Sequence, residues 1–192
     1  MKLSERQQQI IDTSIKLIAD HGIQSLTIKN ISKEIGISEA ALYRHFASKS
    51  EIIMAILNSF QKISCCVFDT VWEEGSTSID KLKVFVMDRY DRFTENPKLA
   101  KVMFSEEVFQ NDLRYSQKIS EIMEEHKNKL KDIIQQGQEK NEIRNDVDLI
   151  SLVRVVVGSM RMLVTQWCLS NFAFNLKQQG TTLWNAVQKL IT

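Results

Sequence analysis

Hydrophobic residues recur along this chain at three- and four-residue intervals, the spacing that gathers them on one side of an α-helix. Ile10, Ile11, Ile15, Leu17 and Ile18 mark a first helix, opened by Ser4 with Gln7 at the capping-box position and closed by His21-Gly22. Thr27 is placed to cap a second, short helix that carries Ile28, Ile31 and Ile35 on one face, and Gly36 stops it. Ser38 caps a third, from Glu39 to about Phe46, with Leu42 and Phe46 pointing inward. Ser48 and Glu51 read as another capping box, and a fourth helix runs from Lys49 to about Trp72, followed by a flexible EEGSTS. Five more are predicted at roughly Ile79–Thr94, Pro97–Phe109, Asp112–Lys140, Val147–Ser170 and Gly180–Ile191, about nine in all. One proline and six glycines favour long helices over loop-rich β architectures, so the fold class is all-α.

The penultimate helix departs from the usual one-sided stripe. From Leu149 to Leu169 it is apolar on nearly every side, and a helix apolar all round is buried all round. In a chain this small, one side can pack within the subunit and another against a second copy, with Gly158 and Ser159 allowing close approach. The expected dimer interface comprises Val157, Met160 and Val164 of this helix with Leu183, Trp184 and Val187 of the last. The competing reading is that the helix is simply the central core of its bundle.

Composition narrows the class of function. Net charge is +1, so whole-chain charge does not announce a nucleic-acid binder, and residues 1–50 carry seven Lys/Arg against five Asp/Glu, a lean of 7 − 5 = +2. Cys65, Cys66 and Cys168 lack metal-site spacing, and an odd count makes a poor disulfide framework; each falls among apolar residues and is expected to behave as a small hydrophobe. His21, His45 and His126 are scattered, and no HExxH, GxSxG or phosphate-binding glycine loop occurs, so neither an enzyme, a metal site nor a cofactor is expected. The N-terminal MKLSERQQQI is too polar for a signal peptide, and no apolar run approaches the roughly 18–20 residues of a membrane span, which leads to an expectation of a cytoplasmic protein.

Two short helices joined by a glycine-containing turn match a helix-turn-helix, a motif with little core of its own that must lean on the rest of the chain. The run LTIKNISKEIGISEAALYRHFASKSEII resembles the DNA-binding domain of the TetR/AcrR family of bacterial transcriptional regulators. The strongest pieces are Thr27 opening the second helix, the turn Gly36-Ile37-Ser38, Leu42, Tyr43, His45 and Phe46 in the third helix, and Lys49 just after it. The resemblance covers about residues 5–55 and implies a DNA-binding domain over residues 1–48 with a ligand-binding and dimerisation domain over residues 49–192. It also implies that Tyr43, His45, Lys49 and Thr27 meet phosphates, while Lys29, Ser38, Glu39, Ala40 and Arg44 touch bases or adjacent phosphates. Arg44 suits a bidentate contact to guanine and Ala40 a thymine methyl; Glu39 departs from a plainly basic face.

The same resemblance implies a homodimeric repressor on a near-palindromic operator, released by a small, largely apolar ligand in the C-terminal bundle. Phe68, Trp72, Tyr90, Phe93, Met103, Phe104, Met123 and Trp167 are the adaptable apolar residues proposed to line that site. His126 and Arg161 are its polar candidates, and Arg161 could instead pair with Glu106, Glu107 or Glu124 inside the bundle. The alternative is a helical protein–protein interaction module without ligand-controlled DNA binding.

Overall fold

The computed structural model describes residues 3–71, 76–105, 109 and 112–192, and for 69–71 the backbone alone. Among them are nine α-helices: α1 (Glu5–His21), α2 (Ile28–Ile35), α3 (Glu39–Tyr43), α4 (Lys49–Val71), α5 (Ser78–Glu95), α6 (Pro97–Met103), α7 (Leu113–Glu139), α8 (Leu149–Leu169) and α9 (Leu176–Ile191). A 3-10 turn at Ile23–Ser25 separates α1 from α2. The chain forms two compact units. The first is Met1–Lys62 with Lys98–Ile119, and the second is Ile63–Pro97 with Ser120–Thr192.

In the first unit the helix ends follow the local chemistry. Ser4 Oγ accepts from the Gln7 N–H while Gln7 Oε1 accepts from the Ser4 N–H, a complete capping box. Gly36, at φ 71°, provides the left-handed turn that ends α2 and releases the chain toward α3. The core joins Ile10, Ile11, Leu26, Ile31, Leu42 and Ile52, all essentially inaccessible. Leu99, Val102, Phe109 and Tyr115 complete it. The helix-turn-helix thus takes its missing core from a segment some forty residues beyond the end of its own sequence run.

Three expectations about the helices change. α3 ends at Tyr43 rather than near Phe46, although the Phe46 N–H still reaches the Leu42 carbonyl at 3.2 Å and keeps Phe46 in the core. At the start of α4, Ser48 Oγ accepts from the Glu51 N–H, but the Glu51 carboxylate returns to the N–H of Ala47, one residue earlier than a capping box requires. α9 begins at Leu176, capped by the Asn175 side chain, so Gly180 lies inside the helix. The Tyr90 ring of α5 is packed so closely on Gly180 that a methyl group there would sit 2.4 Å from two ring carbons.

In the second unit α9 packs on α5 and α8. α8 is not buried all round. Leu152, Val153, Val156, Met160, Leu163, Val164 and Trp167 face inward, whereas Val155, Met162 and Leu169 are exposed at 39%, 61% and 82%. Cys66 is also exposed rather than enclosed, with Cys65 and Cys168 half-buried. Two helices do reach the length and apolar composition of membrane-crossing segments, Lys49–Phe68 within α4 and all of α8. That corrects the expectation of none. Both are amphipathic bundle helices here, α4 burying Ile52, Ile53, Ile56 and Leu57 and α8 carrying exposed Arg154 and Arg161 on its outer side.

Candidate nucleic-acid interface

The face presented by α2 and α3 is built by what α3 cannot bury. Leu42 is fully enclosed and Phe46 nearly so, which turns Glu39, Ala40, Tyr43 and Arg44 to the opposite side of the helix, all exposed. Tyr43 is 51% exposed, a large aromatic left in water. Among the described residues no side-chain partner holds Tyr43, Arg44 or the neighbouring Lys29, so their donors are uncommitted. The two N-caps adjoin this face. Thr27 Oγ1 accepts from the Asn30 N–H and Ser38 Oγ from the Ala41 N–H, each at 3.1 Å, and each hydroxyl keeps its own proton to donate. The half-buried His45 is anchored through its backbone, whose carbonyl accepts from Gln7 Nε2 at 3.4 Å. Lys49 is also half-buried, its ammonium directed to the Ile23 carbonyl at 3.4 Å. It therefore ties α4 to the turn before α2 and leaves two N–H donors for an anion. Positive and neutral donors on one exposed helical face, flanked by two helix N-termini, suit a polyanion.

The second unit holds a different kind of site. Arg89 of α5 is 3% exposed, and it donates through Nη2 to the Ser64 carbonyl. Its guanidinium carbon lies 5.1 Å above the Phe85 ring. Ser64 Oγ is 3.0 Å from His126 Nε2, and the Phe68 ring stacks on Phe85 at 5.3 Å and lies 5.8 Å from the imidazole. Burial, with the Arg89 charge adding to it, pulls His126 down to about 4, so the imidazole is neutral at physiological pH. Burial also lowers Arg89, to about 10, which leaves it charged.

The remaining ligand candidates scatter. Phe68, Tyr90, Phe93 and Trp167 are buried in the second unit. Trp167 Nε1 is already bonded to the Phe174 carbonyl at 2.9 Å. Met103 packs on the core of the first unit, and Phe104 follows it at the end of α6. Met123 is 49% exposed, and Arg161 is exposed too, one residue past the inward-facing Met160. Arg161 is therefore not the interior cation expected of it; Arg89 is. Glu124 pairs with Lys127 instead. Trp72, Glu106 and Glu107 lie outside the described residues. Arg89 had a legible signal, a charge placed within the inward stripe of Leu82, Phe85, Val86 and Phe93.

A family model described as bacterial regulatory proteins, tetR family, matches residues 10–56, and one described as YsiA-like protein, C-terminal region, matches residues 66–191. The chain belongs to the TetR/AcrR family. It is thus a DNA-binding transcriptional regulator, a dimer-forming protein and not an enzyme. The chain is 24% identical over 183 residues to a fatty acid metabolism regulator protein of Bacillus subtilis strain 168, spanning 95% of this chain and 92% of that one. It is 23% identical over 189 residues to a nucleoid occlusion factor, SlmA, of Glaesserella parasuis, spanning 98% and 93%. The transcriptional regulator FadR of Bacillus subtilis, solved in complex with stearoyl-CoA, superposes with a TM-score of 0.83 at 22% identity, over 96% of this chain and 99% of that one.

In this TetR/AcrR regulator the expected dimer residues sort by burial. Met160, Val164, Trp184 and Val187 are already enclosed within the chain and have no surface left to give a partner. Val157 and Leu183 are half-buried. The apolar surface on offer runs along the other side of α8, through Val155, Gly158, Met162 and Leu169, with Leu190 of α9 also exposed. Identity alone cannot separate these faces in a helix so uniformly apolar. The packing of α9 decides which side turns inward.

Proposed function

We propose that this regulator is a cytoplasmic homodimeric repressor that binds a near-palindromic operator with paired α3 helices and is released by a ligand with a long apolar chain. The observation that supports it most is the exposed row on α3, Glu39, Ala40, Tyr43 and Arg44, with its donors uncommitted. Tyr43, His45, Lys49 and Thr27 position the helix on phosphates; Lys29, Ser38, Glu39, Ala40 and Arg44 meet base edges or their neighbouring phosphates. Two copies join along Val155, Met162 and Leu169, and their two α3 helices read half-sites that lie about 34 Å apart on successive major grooves. The functional division falls at residues 1–48 and 49–192. The effector class is drawn from the relatives concerned with fatty acids and from the aromatic interior around Phe68 and Phe85. To act, the ligand must bind more tightly to the state that does not fit the operator.

A gel-shift titration of the full-length protein with the DNA upstream of its own gene tests this. Salt-dependent binding to one near-palindrome, weakened by hexadecanoyl-CoA or hexadecanoate, is expected. Absence of any preferred site in that DNA defeats the reading. Operator binding unmoved by either lipid favours a second reading, a helical protein–protein interaction module without ligand-controlled DNA binding.

A further inference from the structure

We propose that Arg89, with Ser64 and His126 beside it, is the anchor for the carboxylate of an acidic, apolar-tailed ligand inside the second unit. The reasoning begins with charge. Arg89 is enclosed on all sides, yet among the described residues only the Ser64 carbonyl accepts a hydrogen bond from it, and its buried Nε–H has no acceptor. Among the described residues the carboxylate that pairs with it, Asp88, stands 3.9 Å away and is held by both of its oxygens on Arg92 Nε, at 2.9 and 2.8 Å. Asp88 therefore serves Arg92 first. A guanidinium drawn out of water without its own counter-ion is the arrangement a folded chain avoids unless something else supplies the anion.

The surroundings fit a carboxylate better than a bare anion. Ser64 Oγ and His126 Nε2, 3.0 Å apart, add a hydroxyl and a neutral imidazole that can each donate one hydrogen bond once the other is released. Phe85 under the guanidinium and Phe68 stacked on Phe85 form the apolar wall beside them, suited to the first carbons of a tail. A planar guanidinium pairs with the two oxygens of a carboxylate through parallel hydrogen bonds. An alcohol or an ester of the same tail offers no charge to neutralise. The inference rests on the preceding reading in one respect, that the effector carries an apolar chain; which end of it is recognised, and by which residue, is new.

Calorimetric titration of the full-length protein with octanoate, dodecanoate and hexadecanoate, and with the alcohols of equal length, tests it without any variant. At least one acid should bind about tenfold or more tightly than its alcohol. Arg89→Met should erase that difference, and Arg89→Lys should retain part of it. Circular dichroism shows whether each variant folds, and the comparison of acid with alcohol on the natural protein stands if neither does. Equal binding of acid and alcohol, no binding of any acid, binding of hexadecanoyl-CoA alone, or an Arg89→Met protein that still prefers the acid would each overturn the proposal. Operator binding is measured separately: a protein that binds the acid but no operator refutes the repressor reading and leaves the anchor standing.

Discussion

Replacing Gly180 with alanine sets two known effects against each other. Taken as a helix position alone, alanine is better than glycine by about 1 kcal/mol, so the change should stabilise α9. The tertiary structure says otherwise. The added Cβ would lie 2.4 Å from Tyr90 Cδ2 and Cε2 and 3.0 Å from Cγ, where non-bonded carbons settle at about 3.5–4.0 Å. The ring must retreat by about 1 Å, and Tyr90 is 1% exposed, so it has nowhere open to go. Overpacking of this kind costs about 1–3 kcal/mol. Set against the propensity gain, the net loss is roughly 0–2 kcal/mol, or up to about 8 °C in Tm for a chain of this size. Urea unfolding followed by circular dichroism, at one fixed protein concentration because dimer formation contributes to stability, measures it. Tyr90→Leu removes the obstructing ring, so the same glycine change made in that background should lose most of its penalty, a coupling of about 1–2 kcal/mol. A Gly180→Ala protein more stable than the natural one, or a penalty unchanged by Tyr90→Leu, would refute the claim that this contact sets how closely α5 and α9 approach.

Arg44→Ala should relax discrimination at one base pair of the operator by about 1–3 kcal/mol, read by competition gel shift with single-base operator variants. Tyr43→Phe, which removes one hydroxyl donor, should weaken binding to every sequence alike by roughly 0.5–1.5 kcal/mol and leave the fold intact by circular dichroism. Met162→Lys and Leu169→Lys should shift the protein toward monomer in sedimentation-velocity runs, while neither alters a residue of the buried core. Burial holds His126 down at about 4 against an ordinary value of 6.5, so the folded state binds fewer protons than the unfolded one between those limits. Its contribution is fully present above pH 6.5 and is lost as pH falls toward 4. At about 1.4 kcal/mol per pH unit this amounts to about 3 kcal/mol. Subtracting the pH profile of His126→Gln from that of the natural protein by urea unfolding should expose this loss, and parallel profiles would show that the imidazole is not desolvated.

Much of the local architecture is written in short-range chemistry. Ser4, Thr27 and Ser38 start helices because a side-chain oxygen there satisfies an amide the helix leaves over, and Gly36 stops one because it adopts a left-handed φ without penalty. The exposed face of α3 follows just as directly, since Leu42 and Phe46 at four-residue spacing leave Glu39, Ala40, Tyr43 and Arg44 no other side to occupy. These decisions involve neighbours within a few residues, so the sequence by itself determined them. What depended on distant partners was settled only by the tertiary structure. Gly180 reads as a helix start until the Tyr90 ring, ninety residues earlier, is found lying against it. α8 is apolar nearly all round, so its periodicity does not say which side α9 will cover: Met160 and Val164 turn inward, Val157 is half-buried, and Val155 and Met162 are left outside. Arg161 and Arg89 look alike as single charges in apolar helices. One is rotated past the inward line to the exposed side of its helix, and the other is held inside by a carbonyl contributed from α4, a helix away. Helical periodicity tells a residue's angle about its own axis; burial depends on which other helix arrives at that angle, and that is a property of the whole chain.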